Sequence, residues 1–333
     1  MATPRAALGR KPLWALVLLS PVLAEMLSGS SPPTEWLNPF AALLLIWLYG
    51  SGVVVMRETA VRWRLGWAGL VALGAAYGII EEGLAVKSFF DPAWMDLGTL
   101  GSYGRFLDTN WVWALWLTIY HAIFSIALPI FLIEWAYPSI RGKPLLAERG
   151  YALSLASLLG ATLFLNALLT GYRPSAAHLA GAALAVVGLA WFAKDHADRI
   201  WSRLPRGRPP SRAACAIVGF AFPMASFLVY GGGPFLGWIP AVTYLEGAAL
   251  LLGAALVARR ITGDPALARH RFAMAAGAVS FLIALASFLE LAGNRGMGAV
   301  AAAFTIWLVV LHRRRIPEDG LIMPRTPDAA GGP

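Results

Sequence analysis

One cysteine, few acidic residues and few charges of either sign set the first limits on this chain of 333 residues. Cys215 stands in an apolar run with no second thiol, which excludes an intrachain disulfide and any cysteine-based metal site. A metal would have to be held by histidines and carboxylates. Charged residues make up 14% of the sequence and hydrophobic ones 58%, where soluble proteins carry about 25% charged residues. A water-soluble globular domain is therefore excluded. Missing too are the alternating segments of about ten residues that mark a membrane β-barrel, and no internal repeat of the kind found in inverted-repeat transporters is visible.

In place of these stand ten apolar segments, near 12–28, 38–56, 65–83, 110–135, 150–170, 175–193, 213–231, 236–257, 271–292 and 297–312. A bilayer core of roughly 30 Å is crossed by about 20 apolar residues in a helix. The pattern predicts an all-α polytopic transmembrane bundle of about ten helices, with the lipid bilayer as its solvent. Of the 27 Lys and Arg residues, only Lys87, Arg105, Arg173 and Arg295 fall on one side of that arrangement. All others lie on the opposite side, from Arg5, Arg10 and Lys11 through Arg57, Arg62 and Arg64 to Arg313, Arg314 and Arg315. By the positive-inside rule both termini are expected in the cytoplasm, with the protein in a cytoplasmic membrane of the bacterial type. The same rule accounts for the net charge of +9 without nucleic acid as a partner.

Composition divides the chain into a six-helix region (1–193) carrying an outer loop at 84–109, a basic linker (194–212), a four-helix region (213–312) and a Pro/Gly-rich tail (313–333) expected to be disordered. The basic start followed by Leu13 to Leu23 and Ala24 also has the form of a secretory leader. Because the apolar run continues through Met26 and Leu27, a retained helix is the preferred reading.

Ionisable residues inside apolar spans are where function is sought first. Glu81 and Glu82 close the third segment. Spacing of four puts Gly74, Gly78 and Glu82 on one helix face and Tyr77 with Glu81 beside it. A glycine face implies close packing, which turns Glu82 into the bundle; the alternative is that both carboxylates reach interfacial water. His121 falls near mid-depth of the fourth segment with Thr118 and Ser125 on its face, either as a working group or as a hydrogen-bonded structural one. Trp111, Trp113 and Trp116 read as an interfacial belt. Glu246 is the deepest carboxylate, and Glu290, His178 and the stripe Thr162, Asn166, Thr170 lie toward the outer side. The outer loop interleaves Phe89, Phe90 and Trp94 with Asp91 and Asp96, a composition suited to recognising sugars, cations or lipid head groups, or simply to lying on the bilayer.

The Glu81–Glu82 pair followed by single histidines on later helices resembles the CAAX prenyl protease and bacteriocin-processing family of intramembrane metalloproteases. The resemblance implies a metal and an activated water held by a Glu-Glu-x-x-x-Arg motif and histidines on other helices, here Glu81, Glu82, His121 and His178. The pattern departs at Val86, where the arginine belongs, with Lys87 one position late. It departs again at Leu117 and Ala182, which replace a phenylalanine and an asparagine beside the histidines.

Three functions follow as expectations. The first is permease-like handling of a small or cationic solute through an outward-facing polar cavity, with His121 and Glu246 coupling protons or ions and Glu290, Asn166, Asp91 and Asp96 contributing to binding. The second is a membrane-embedded metal-dependent hydrolase, with Glu81 or Glu82 as general base and His121 and His178 as ligands of a divalent cation; only this reading calls for a cofactor. The third is a membrane scaffold without chemistry.

Overall fold

A computed structural model describes residues 10–169 and 171–314. Arg5, Thr170, Arg315 and the remainder of the tail expected to be disordered lie outside the described residues.

Among the described residues there are ten helices: α1 (10–26), α2 (Pro39–Arg62), α3 (Trp67–Ala85), α4 (Trp111–Ala136), α5 (Glu148–Leu168), α6 (Ala176–Arg203), α7 (Arg212–Gly232), α8 (Pro240–Ile261), α9 (Ala268–Leu291) and α10 (Met297–Arg313). Eight helices are long and apolar enough to cross a membrane, and the expected all-α membrane bundle is what the chain forms. The helix over 176–203 runs ten residues beyond the expected end of its apolar segment, into the basic stretch.

Local sequence sets the helix starts. Asn38 accepts the Phe40 N–H at 3.0 Å with Pro39 in the first turn, Asn110 accepts the Trp113 N–H at 3.0 Å, and Ser175 and Ser211 cap α6 and α7. Each cap satisfies backbone donors that the helix itself leaves free. Glycines then set how closely the helices approach. A Cβ on Gly74 would lie 2.8 Å from the Ala122 backbone and one on Gly78 3.1 Å from Thr118 Cα, so the glycine face of α3 lies directly on α4. Gly219 and Gly277 do the same for α7 and α9. In lipid, where helices gain nothing by hiding apolar surface from water, such close backbone contact is a main source of association.

The arrangement has a centre and a periphery. In α3 and α4, 67% of the apolar window is buried, against 11% in α6 and α8. α1 belongs to the centre: Leu16, Leu23, Ala24 and Leu27 are fully buried among α2, α4 and the α9–α10 pair. Over one end of this core folds the segment between α3 and α4. It carries a short hairpin, Arg105–Phe106 against Thr109–Asn110, closed by Leu107 and Asp108, both with positive φ, the conformation that matches a hairpin's twist. Lys87, Ser88, Phe89 and Phe90 are buried beneath it.

Candidate functional site: a buried carboxylate and histidine cluster

The close contact of α3 with α4 places Glu82 against His121. Glu82 Oε1 is 2.9 Å from His121 Nε2 and Glu81 Oε2 is 3.1 Å from Nδ1, while Ser125 Oγ, one turn further along α4, is 2.8 Å from Nδ1. All four residues are buried. Although Nδ1 is near, no hydrogen bond of acceptable geometry reaches Glu81 Oε2, so this buried oxygen is left over. The other oxygen of Glu82 accepts from the Ser88 hydroxyl, and Ser88 in turn accepts from Trp113 Nε1 at 3.0 Å.

A third carboxylate belongs here. Glu25 on α1 is buried and accepts a hydrogen bond from the Tyr49 hydroxyl of α2. The Tyr49 and Tyr77 rings pack 6.1 and 6.5 Å from the imidazole, closing the inner side of the cluster. Beyond them lie Val53, Ile126 and Ile130, all deeply buried. Glu25, Glu81 with Glu82, and His121 share one local feature: each stands in a π-helical turn, over Val22–Met26, Ile80–Ala85 and His121–Ala127 respectively. A π turn inserts an extra residue into a helix and rotates the following side chains, and such turns concentrate at functional sites. Here three of them carry the four ionisable groups of the cluster, of which Glu81, Glu82 and His121 meet at one point.

The electrostatics of this arrangement are unbalanced. Three carboxylates surround a single imidazole in a medium that solvates charge poorly, so the surplus negative charge has to be met by protons or by a bound cation. One ligand atom from each of Glu81, Glu82 and His121 lies within 4.8 Å of the other two, and among the described residues this is the group able to hold a metal ion. Ligand bonds of about 2 Å to a common centre fit such a spread.

The other residues picked out from the sequence are placed elsewhere. His178 bonds the Leu107 carbonyl at 2.9 Å and the Ser175 hydroxyl at 2.7 Å and packs on Phe90, pinning the hairpin to the start of α6. Asn166 donates to the Leu84 carbonyl and its own carbonyl accepts from Lys87 Nζ, both at 2.7 Å, which fastens the end of α3 to α5. Asp91 caps a turn at Ala93, and Asp96 is exposed. Glu246 is exposed on α8, and Glu290 accepts the Gly298 N–H at the start of α10. The polar outer opening expected over these groups is instead occupied by the α3–α4 segment, whose Ser88 touches the cluster directly. Glu25, Tyr49, Tyr77, Ser88 and Trp113 were not foreseen as site residues. For Glu25 a signal existed, a lone carboxylate inside the apolar run from Leu13 to Leu27, by the same criterion that singles out Glu82.

A family model described as an uncharacterized membrane protein family matches residues 15–321. The chain is also 28% identical over 158 residues to an uncharacterized protein of Archaeoglobus fulgidus, a match covering 44% of this chain and 48% of that protein. It thus spans about half the length of that relative. No solved structure matches. The family match overturns the resemblance to the CAAX prenyl protease and bacteriocin-processing family. The geometry gives the physical reason: His178, one of the two histidines that carried it, is a hairpin anchor, and Val86 replaces the motif's arginine.

Proposed function

The chain belongs to that uncharacterized membrane protein family, and from this premise we propose that it is a membrane-embedded enzyme that binds one divalent cation through Glu81, Glu82 and His121 and hydrolyses a membrane-bound substrate. The observation that carries the reading is the convergence of these three ligand atoms in a buried site with a leftover carboxylate oxygen. Three protein ligands and an open position are the arrangement of a catalytic centre, and a nitrogen-and-oxygen donor set suits zinc, manganese or iron. Such a cation would lower the pKa of a bound water and polarise a carbonyl or phosphoryl oxygen.

The protein's own groups divide the remaining work. His121 is oriented by Ser125, and Glu82 by Ser88 and Trp113, so that both ligands are fixed by neighbours that do not themselves bind metal. Glu25, held by Tyr49, is the carboxylate left over to take a proton from an attacking water and return it to the leaving group. The Ser88 segment covers the site and keeps bulk water from it. By the positive-inside rule the site lies in the half of the membrane away from the cytoplasm, with both termini on the cytoplasmic side.

The permease reading loses support because its two coupling groups are apart: His121 is enclosed in the cluster, whereas Glu246 faces outward from α8. Apolar packing by Val53, Ile126 and Ile130 continues inward from the site, which suits a closed reaction chamber better than a conduction path.

The test is the metal content of detergent-purified protein by elemental mass spectrometry. About one transition-metal ion per chain is expected, lost in His121→Ala, with chelation lowering the melting temperature because the ion binds the folded state alone. A chain purified without chelator that carries no metal, and whose melting is unmoved by added zinc, manganese or iron, would sink the reading.

A further inference from the structure

A second site lies at the other end of the molecule, independent of the cluster. α7 and α9 touch backbone to backbone at Gly219 and Gly277, and beside this crossing they leave a crevice of about 630 Å³. Its walls are apolar, with Ile217, Phe220 and Met224 on α7 facing Phe272 and Ala276 on α9. Its mouth is not. Arg212, Arg269 and His312 converge there from the first turns of α7 and α9 and the last turn of α10, and no acidic residue lines the crevice.

These three residues occupy the side of the bundle that holds most of the positive charge, at the level where α7 and α9 enter the apolar layer. Arg269 is fixed by donating to the His312 and Arg314 carbonyls at 2.7 and 2.9 Å, which holds its positive charge at the crevice mouth. Arg212, by contrast, is exposed. A long apolar slot ending in a cationic cluster at a membrane surface is complementary to one molecule class, an amphiphile with hydrocarbon chains and an anionic head. We propose that the α7–α9 crevice binds a single anionic phospholipid, its phosphate between Arg212, Arg269 and His312 and an acyl chain along Phe220 and Ala276.

The experiment is native mass spectrometry of the full chain in detergent, titrated with phosphatidylglycerol and with phosphatidylcholine of the same acyl chains. One phosphatidylglycerol per chain is expected, bound at least about fivefold more tightly than phosphatidylcholine, as one to two cationic contacts at a membrane surface provide. Arg212→Gln, at an exposed position, should erase most of that preference. Ala276→Phe, which fills the slot without altering charge, should remove the bound lipid while the head-group residues remain. Equal binding of the two lipids, unchanged binding in Arg212→Gln, or full displacement of phosphatidylglycerol by soluble glycerol phosphate would each overturn the proposal. The last outcome would reduce the site to one for simple anions.

Discussion

Two groups of buried charge among the described residues are built on opposite principles: one around Arg57, the other around His121. On the basic side, Arg57 donates to Glu58 at 2.7 Å, to Glu134 at 3.2 Å and to the Ile140 and Lys143 carbonyls at 2.7 and 2.9 Å. Glu58 also pairs with Arg62 and accepts the Leu145 and Leu146 N–H groups at 2.9 and 3.2 Å. Two arginines meet two carboxylates, so the charges cancel, although Arg57 Nε and Arg62 Nε are buried without a hydrogen-bond partner. In the other group three carboxylates, Glu25, Glu81 and Glu82, stand with a single imidazole, His121, and Glu81 Oε2, though 3.1 Å from Nδ1, has no hydrogen bond. Burial of charge is common to both and so distinguishes nothing. Balance of charge distinguishes them: the first network fastens the 137–147 connection to α2, while the second holds more carboxylates than cationic partners, the surplus on which the proposed cation site rests.

That contrast makes opposite forecasts for neutralising one carboxylate. The largest effect belongs to Glu58→Gln, which strips a charge from a charge-balanced network and leaves Arg57 and Arg62 short of a partner. A loss of about 3–5 kcal/mol is expected, the usual result of breaking a buried pair on one side, read as a large fall in melting temperature in detergent. Melting close to wild type would erase the distinction between the two groups. Next comes Glu81→Gln, which relieves a surplus. In chelator-treated protein it should raise the melting temperature by about 2 °C, as a gain on the order of 1 kcal/mol does, while abolishing the metal stoichiometry of the untreated protein. Destabilisation there would show that the carboxylates of the cluster are already neutralised as they stand. The smallest effect is set for Glu246→Gln. A side chain on a peripheral helix, remote from the cluster, should move the melting temperature less than Glu81→Gln does and leave the metal content as it is. Lost metal in this variant would reopen a link between α8 and the cluster.

The site was legible in part, and the limits are physical. Glu82 and His121 stand out because an ionisable group in an apolar span is costly wherever it falls, and Gly74 and Gly78 show which face of α3 meets a neighbour. Ser125 is found by the four-residue spacing from His121. Glu25 escaped because a carboxylate near a span's end reads as one that reaches water, and nothing in a linear pattern reveals that the loop above it is folded over. His178 and Asn166 misdirect for the complementary reason: polar side chains at span ends are also what fasten loops, and only their partners separate the two uses.

Helix number and membrane class were fixed by the sequence alone, since both depend on the length and polarity of continuous segments, which lipid selects one segment at a time. The tertiary structure decided which carboxylates share a space. Three π-helical turns, each a one-residue change in winding that leaves no mark on the hydrophobic pattern, carry Glu25, Glu81, Glu82 and His121, and the glycine contact of α3 with α4 brings Glu81, Glu82 and His121 within reach of a single ion.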